Sequence, residues 1–550
     1  MDKLAVRSVL EHIAAFLELQ GETVARVRVF QNAGRSGVRA DAAPEVQEVL
    51  RELAATGRSS TLDELREQIP PGLVEMLGIP GLGVAKVRQI HELLHIESLA
   101  ELEDAAADGR LAALHGFGRK TADNVRKGIA ALRQASGVRL LHHALDEAQG
   151  IAQALAALEG VRRVEIAGSV RRRLEIIRDL DFVVVHAGDG MRAALIKRLD
   201  DAPGVIELAG KEGAVTLRFA SGAVAQVILA TEAEAGRALL RATGSTDHVA
   251  QVDARLRGAA RPWEGGDEES VYRAAGLPWI PPELREGMGE VEAAAAGRLP
   301  RLLEQRDLKG FLHCHTNYSD GTTTVADWAD ASRAAGYEWM GITDHSESSA
   351  YAGGLRADDV TRQHAEIDAV NRRAGAFRVL KGVEADILAD GSLDYGPAVL
   401  DRFDFVIASI HTRFGMTEAE MTARVLRALD DPHTTILGHP TGRLLLARDP
   451  YAIDLERVLS RAAERGVAVE VNADPHRLDL DWRMVRRARE LGVPISLGAD
   501  AHSVAGLTNV ALGVGIARKG WLAAGDVLNT RDAEGFLSHA RRRRPPPVYA

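Results

Sequence analysis

From Phe311 onward, apolar and β-branched runs alternate with amphipathic stretches, and most of the runs end on a residue able to bind a cation. WMGITDH ends at His345, VLKGVEAD carries Glu384, FVIASIH ends at His411, TILGHP carries His439, and PISLGADAH ends with Asp500 and His502. VAVEVNAD at 467–474 is a further run of the same kind, and segments of helical period lie between at 325–336, 422–431 and 457–466. Strand alternating with helix predicts βα units and a parallel sheet. With FLHCH at 311–315 this makes seven strands in about 200 residues, which suits a TIM-like barrel with its chemistry at the C-terminal strand ends. In FLHCHTNYSD (311–320), His313 and His315 lie two apart, so an ordinary strand projects both imidazoles to one face and Cys314 to the other.

Upstream the period changes. Residues 1–70 read as helices, with apolar Val6, Val9, Leu10, Ile13, Phe16 and Leu17 at helical spacing. IPGLGVAKVRQI (79–90) and LHGFGRKTADNVRKGI (114–129) then repeat one pattern: an apolar residue, Gly-x-Gly, and a helix with Lys or Arg in its first turn. Such helix-hairpin-helix turns aim helix N-terminal N–H groups at a phosphate, a grip on a DNA backbone blind to sequence. Gly81, Gly83 and Lys86 carry the first copy; Gly116, Gly118 and Lys120 carry the second. A helix at 143–158 and a strand in VRRVEIAGSV (161–170) follow, then RRRLEIIRDLDFVVV, which sets Asp179 and Asp181 on one face at the start of a buried strand.

The barrel's strand ends, with the acid of NYSD, supply three carboxylates (Asp320, Glu384, Asp500) and six histidines (His313, His315, His345, His411, His439, His502). One ion takes four to six ligands, so the set implies two to three ions. Mixed imidazole and carboxylate ligation suits manganese, zinc or iron better than magnesium or calcium. Such a cluster activates water and clamps phosphoester oxygens. The 550 residues suffice for three or four domains, each expected to hold its own core. A single cysteine excludes a disulfide framework, and Cys314 reads as a small buried strand residue. The net charge of −10 excludes a uniformly basic surface but not local cationic patches. MDKLAVRSVLEHIAAFLELQ reads as an amphipathic helix and not a signal peptide, and no apolar run reaches ~18 residues. A cytoplasmic, nucleoid-associated monomer without membrane attachment is the expectation, with RRRR at 541–544 as a solvated basic tail.

These motifs, with YAGGL (351–355), HTRF (411–414) and HPTGRLL (439–445), resemble a PHP (polymerase and histidinol phosphatase) domain, closely the one at the C-terminus of bacterial family-X DNA polymerases. The resemblance covers 305–540 and fills all nine family ligand positions. It implies a (β/α)7 barrel that hydrolyses phosphoesters, with His313, His315 and Glu384 central to catalysis and Arg413 and Arg443 holding substrate phosphate. Gly168-Ser169 ahead of Asp179 and Asp181 resembles a nucleotidyltransferase palm, whose carboxylates hold magnesium or manganese. There Gly168, Ser169, Arg172, Gly244 and Ser245 would contact nucleotide phosphates. The departures are specific. The third palm carboxylate, 17 residues before Thr243, is Gln226. The aromatic pair before T-G-S is Arg241-Ala242, Val249 replaces the Asn after His248, and 257–270 lacks the family's motif. A further N-terminal hairpin is missing from 37–57, whereas 271–292 again matches the family thumb.

The implied order is an N-terminal helical domain (1–75), a helix-hairpin-helix region (76–138), palm (139–235), thumb (236–303), PHP barrel (304–540) and tail (541–550). The expectation is a DNA-repair enzyme on gaps, nicks and 3′ ends, with a 3′–5′ exonuclease and a weak, Mn²⁺-dependent palm that takes dNTP. Abasic-site cleavage and 3′-phosphate removal are variants of the same chemistry. An active gap-filling polymerase and a non-catalytic DNA-end clamp are the alternatives. Glu232 or Glu234 could stand in for the third acid.

Overall fold

Two periods in the chain, one helical and one alternating, settle into two units, Met1–Leu132 and Arg133–Ala550. The computed structural model describes residues 10–544 except 11–12, 15, 24–25, 31–32, 34–42, 57–58, 63–64, 66–68, 136–137, 189, 203–204, 212, 220–222 and 260–261. Val6, Val9, the start of 37–57 and the tail beyond Arg544 therefore lie outside the described residues.

The first unit is helical, and Leu10, Ile13, Phe16 and Leu17 pack in one core with Val49, Met76, Phe117 and Ile129. The two Gly-x-Gly turns repeat in three dimensions at an offset of 35 residues. Gly81 (φ 89°) and Gly116 (φ 87°) both hold the left-handed conformation that only glycine adopts cheaply. Their followers Leu82 and Phe117 are buried, as are Val87 and Ala122, then Ile90 and Val125. Helices Val84–Leu94 and Arg119–Ala135 grow from these turns.

The second unit begins with a short ribbon of β1 (Arg139–Leu140) and β3 (Ile176–Ile177). A five-stranded sheet follows in the order β2 (Val161–Ile166), β4 (Leu180–His186), β7 (Val224–Ala230), β6 (Ala214–Phe219), β5 (Val205–Lys211). β4 and β7 are parallel and the other pairs antiparallel. Then β8 (Gly310–Cys314), β9 (Trp339–Ile342), β10 (Arg378–Asp386), β11 (Phe405–Ser409), β12 (Ile436–Leu437), β13 (Ala468–Asn472) and β14 (Ile495–Ala501) close a parallel barrel. The (β/α)7 barrel is thus present. Its helices begin earlier than periodicity suggests, at Glu418 and Leu455, because Thr417 and Asp454 cap them through side-chain oxygens.

Strand-initial side chains plug the barrel's N-terminal end. Trp339, Phe405, Ile436 and Ala468 pack with Leu312, Leu380, and Phe536, Leu537 and Ala540 of the helix Ala533–Arg541. That helix changes the reading of the basic run, which is not a solvated tail as far as Arg544. Arg541 pairs with Asp404 at 3.2 Å, while Arg542 donates to the Gly466 carbonyl at 2.7 Å and Arg543 to the Thr434 carbonyl at 2.8 Å. The run directly continues the plugging helix, so its guanidinium groups reach loop carbonyls at the barrel base.

The five-stranded sheet and the barrel also do not hold wholly separate cores, since the largest cluster spans both. Leu140, Ala148, Phe182 and Val227 belong to one buried cluster with Phe311, Cys314, Val469 and Val493. Polar ties reinforce it: Arg443 Nη2 meets Glu175 at 3.2 Å, Arg518 meets Glu283 at 2.7 Å, and the buried Lys519 bonds Glu286 and the Arg172 carbonyl.

Phe536→Ala should open a cavity at the barrel base and remove about 3–5 kcal/mol of stability. Calorimetry on the full chain would check this, and an unaltered melting profile would refute it.

Candidate functional site

Each ligand candidate sits where its strand runs out. His313 and His315 leave β8, His345 follows β9, Glu384 lies late in β10, His411 follows β11, His439 follows β12, and Asp500 and His502 end β14. Asp320 reaches the same mouth from the loop after β8 and lies 3.2 Å from His502 Nε2. The pleat is broken to achieve this. His313 (φ 60°) and Asp500 (φ 50°) occupy the left-handed region, and the β8–β14 register shifts between Gly498 and Ala501. Neighbouring Leu312 therefore joins the apolar plug while His313 joins the ligands, a combination that simple alternation forbids. Cys314 faces outward into the core, where burial pushes its thiol pKa well above the ordinary value.

Glu384 is the hub. Its Oε1 lies 2.9 Å from His439 Nε2 and 3.2 Å from His411 Nε2. Its Oε2 lies 3.1, 3.4 and 3.6 Å from His345 Nδ1, His313 Nε2 and His315 Nε2. Asp500 Oδ1 lies 3.3 Å from His315 Nε2, and His345 Nε2 lies 3.6 Å from Asp320. All nine sequence-named candidates are thus brought together.

Burial alone would raise the Glu384 pKa, but His411, His313 and His345 hold it well below the ordinary value. Burial alone would lower those of His313 and His411, but Glu470, Asp500 and Glu384 raise the first well above the ordinary value, and Tyr351, Glu384 and Asp386 the second. His315, desolvated and flanked by His502 and His345, goes down. His313 Nε2, both ring nitrogens of His315, His345 Nδ1 and Glu384 Oε2 are buried without a hydrogen-bond partner. Convergent imidazole and carboxylate donors left unsatisfied by protein fit cations shared through Glu384. Overlapping groups offer such geometry: His313, His315, Asp500; His313, Glu384, His439; His345, Glu384, His411; and His315, Asp320, His345, His502.

Sequence reasoning missed the groups behind these ligands. Asp386 Oδ1 holds His411 Nδ1 at 2.6 Å, and Asp344 accepts from Thr316 N at 2.7 Å and from Oγ1 at 2.6 Å. Glu470 on β13 sits beside His313. An acid between valines in a buried strand was the available signal. Of the two arginines expected on phosphate, Arg413 (φ 60°) is exposed two residues beyond His411 and makes no ion pair among the described residues. Arg443 is already engaged. Its guanidinium is committed to Glu175, Asp481 and the carbonyls of Arg477 and Leu478.

In the palm, Asp181 and Gln226 are register partners across β4 and β7, and Gln226 Nε2 donates to Asp179 Oδ2 at 2.8 Å. Burial and the neighbouring Asp179 raise the Asp181 pKa to about 6, with Arg172 opposing. Gly168 leaves room for the Asp181 carboxylate, which a Cβ there would overlap, and Ser169 Oγ is buried without a partner. Arg172 is not free for phosphate, because Glu286 holds it at 2.9 Å and it donates to the Thr243 carbonyl. Ser245 Oγ caps the helix Thr246–Arg257 by accepting from His248 N, and Gly244 packs against His248. Arg241 turns to Asp253 at 3.0 Å. Neither proposed substitute acid reaches the site: Glu232 pairs with Arg163 at 3.3 Å, and Glu234 binds Arg192 and Thr231.

On the first unit, a side chain added at Gly81, Gly83, Gly116 or Gly118 would meet nothing within 4 Å, so both turns are open. Lys86 folds back on its own hairpin, 3.2 Å from the Gly81 carbonyl and 5.6 Å above the Phe117 ring. Lys120 is exposed. The repeat offset aligns Lys120 with Ala85, so the two lysines are not equivalent.

Family comparison agrees with both halves of the geometry. A PHP domain model matches residues 312–474, and a SAM-like helix-hairpin-helix tandem matches 73–131. A probable phosphatase of Caldanaerobacter subterraneus is 29% identical over 171 residues, 29% of this chain and 60% of that protein. One from Clostridium acetobutylicum is 31% identical over 166 residues, 29% of this chain and 63% of the other. No helix among the described residues is long and apolar enough to cross a membrane. A DNA polymerase/3′–5′ exonuclease PolX of Bacillus subtilis is 34% identical over 568 residues, 98% of this chain and 99% of that protein, and on this match the chain belongs to the PolX family of bacterial family-X DNA polymerases with a C-terminal PHP domain.

Proposed function

We propose that the chain is a DNA-repair enzyme whose barrel hydrolyses phosphodiesters at DNA 3′ ends and whose palm adds nucleotides feebly. The observation that carries this reading is the Glu384 carboxylate, surrounded by five imidazole nitrogens within 3.6 Å. We assign His313, His315, Asp320, His345, Glu384, His411, His439, Asp500 and His502 to two or three manganese or zinc ions. When bound, such ions activate water and neutralise the phosphoester oxygens. The chain's own part would be to hold them with these nine side chains, and Arg413 at the rim would orient the substrate phosphate. The boundaries proposed from the sequence, 1–75, 76–138, 139–235, 236–303 and 304–540, supply the grips, palm, thumb and barrel. Gapped or nicked DNA, dNTP, a monomeric state and a nucleoid location belong to the same proposal. The resemblance to probable phosphatases supports 3′-phosphate removal as the nearest variant activity.

An active gap-filling polymerase is the second reading, favoured by the Asp179 and Asp181 carboxylates, the room Gly168 leaves for Asp181 and the buried, unpartnered Ser169 hydroxyl. Against it, the Gln226 amide occupies an Asp179 oxygen, supplies no negative charge, and Arg172 is held by Glu286. A non-catalytic clamp would leave the unpartnered imidazole nitrogens of the barrel without purpose.

His313→Ala with His315→Ala should abolish exonuclease activity in Mn²⁺ while leaving DNA affinity within a few-fold, read by gel-based digestion and binding on one preparation. Full activity in that variant would defeat the barrel assignment. Lys120→Glu should weaken binding to every DNA sequence alike and flatten the log–log salt slope by about 0.9 for each phosphate it no longer neutralises. Sequence-selective weakening would instead mark the hairpins as connectors.

Gln226→Asp should raise nucleotide addition by up to ~10²-fold, since one electrostatic stabiliser is typically worth 10²–10³. In the unsubstituted chain, addition should climb as pH rises through about 6, where Asp181 ionises. The sign also fixes stability: a folded-state pKa above the ordinary carboxylate value means that ionising Asp181 costs folding free energy, progressively between about pH 4 and 6 and fully above. Robust Mg²⁺-supported gap filling without substitution would overturn the feeble-palm reading.

A further inference from the structure

We infer that Glu470 is a positioning residue shared by two ligands of the barrel, one that sets the tautomer of His313 and the place of His439 together. This rests on the metal reading of the barrel proposed above. Glu470 projects from the middle of β13 and is fully buried. Its Oε1 lies 2.5 Å from His313 Nδ1, and its Oε2 accepts from the backbone N–H of His439 at 2.7 Å and from Asn472 Nδ2 at 3.2 Å. Asn472 Nδ2 also lies 3.1 Å from Asp500 Oδ2. One carboxylate on β13 thus ties together β8 and the β12 end, with a link onward to β14.

Both oxygens are engaged, so Glu470 acts on ligands and not as one. With Nδ1 of His313 donating to Glu470, the lone pair of Nε2 faces Glu384 and Asp500, 3.4 and 3.6 Å away. Among the described residues the ion-pair partner of Glu470 is His313 alone. A buried carboxylate whose charge is answered through an imidazole matches a carboxylate–histidine–cation relay, which fixes ring orientation and raises ligand basicity. An independent observation is the space reserved for it. Across β13 and β14, Gly498 lacks a side chain where a Cβ would overlap Glu470 Oε1.

Glu470→Gln isolates the role. The amide keeps the volume but offers one accepting oxygen, so it cannot accept from both His313 Nδ1–H and the His439 N–H. Titration calorimetry of Mn²⁺ into the chelator-stripped full chain should give 10–100-fold weaker binding of at least one ion. The Co²⁺-loaded absorption spectrum should change, and near-ultraviolet dichroism and DNA binding should not. The Mn²⁺ concentration for half-maximal hydrolysis should rise by a similar factor, with the maximal rate largely regained at saturation. Gly498→Ala, which displaces the carboxylate, should reproduce the shift and carries the test if Glu470→Gln fails to fold. Mn²⁺ binding and a Co²⁺ spectrum identical to the unsubstituted chain would overturn the role of Glu470 alone. Absence of Mn²⁺ uptake by the unsubstituted chain would overturn the metal reading beneath it.

Discussion

The barrel depends on one constraint: a carboxylate, Glu384, buried at the meeting point of five histidines. Taking such groups out of water is expensive unless each charge is answered at close range. The strand ends answer it from all sides of a closed parallel barrel, which is the arrangement in which seven separate segments point at one spot. Left-handed backbone at His313 and Asp500 is part of that cost, held in place by the strands on either side. Glu470, Asp386 and Asp344 then steady the rings and the loop that carry the ligands.

The palm faces a milder version of the same problem and meets it differently. Asp181 is desolvated beside Asp179, and the group opposite is an amide that quiets Asp179 with a hydrogen bond. That arrangement suits a fold at rest. The amide adds no negative charge to the pair, and Arg172 is held by Glu286.

What could be read from the chain was whatever repeats or alternates. The seven apolar runs, six of them carrying ligands, foretold the barrel and its mouth, and the 35-residue repeat foretold two hairpins with matched glycine conformations. Side-chain destinations that depend on distant segments were not legible. Arg443 stands in a phosphate-like motif yet meets Glu175, which is 268 positions away. Glu470 announced itself only as an acid between valines, with nothing to say which ligands it would meet, and His313 breaks the pleat beside Leu312 through a dihedral that composition does not encode. The arginines at 541–544 look like a tail until the preceding helix is known to plug the barrel.

Palm and barrel share a single buried apolar cluster, stitched by Arg443 to Glu175 and by the buried Lys519 to Glu286. A substitution that loosens one side of this cluster therefore reaches the packing of the other. The apolar strands of the five-stranded sheet thus wall one side of the barrel, and their packing is needed there whatever the acids at their ends do.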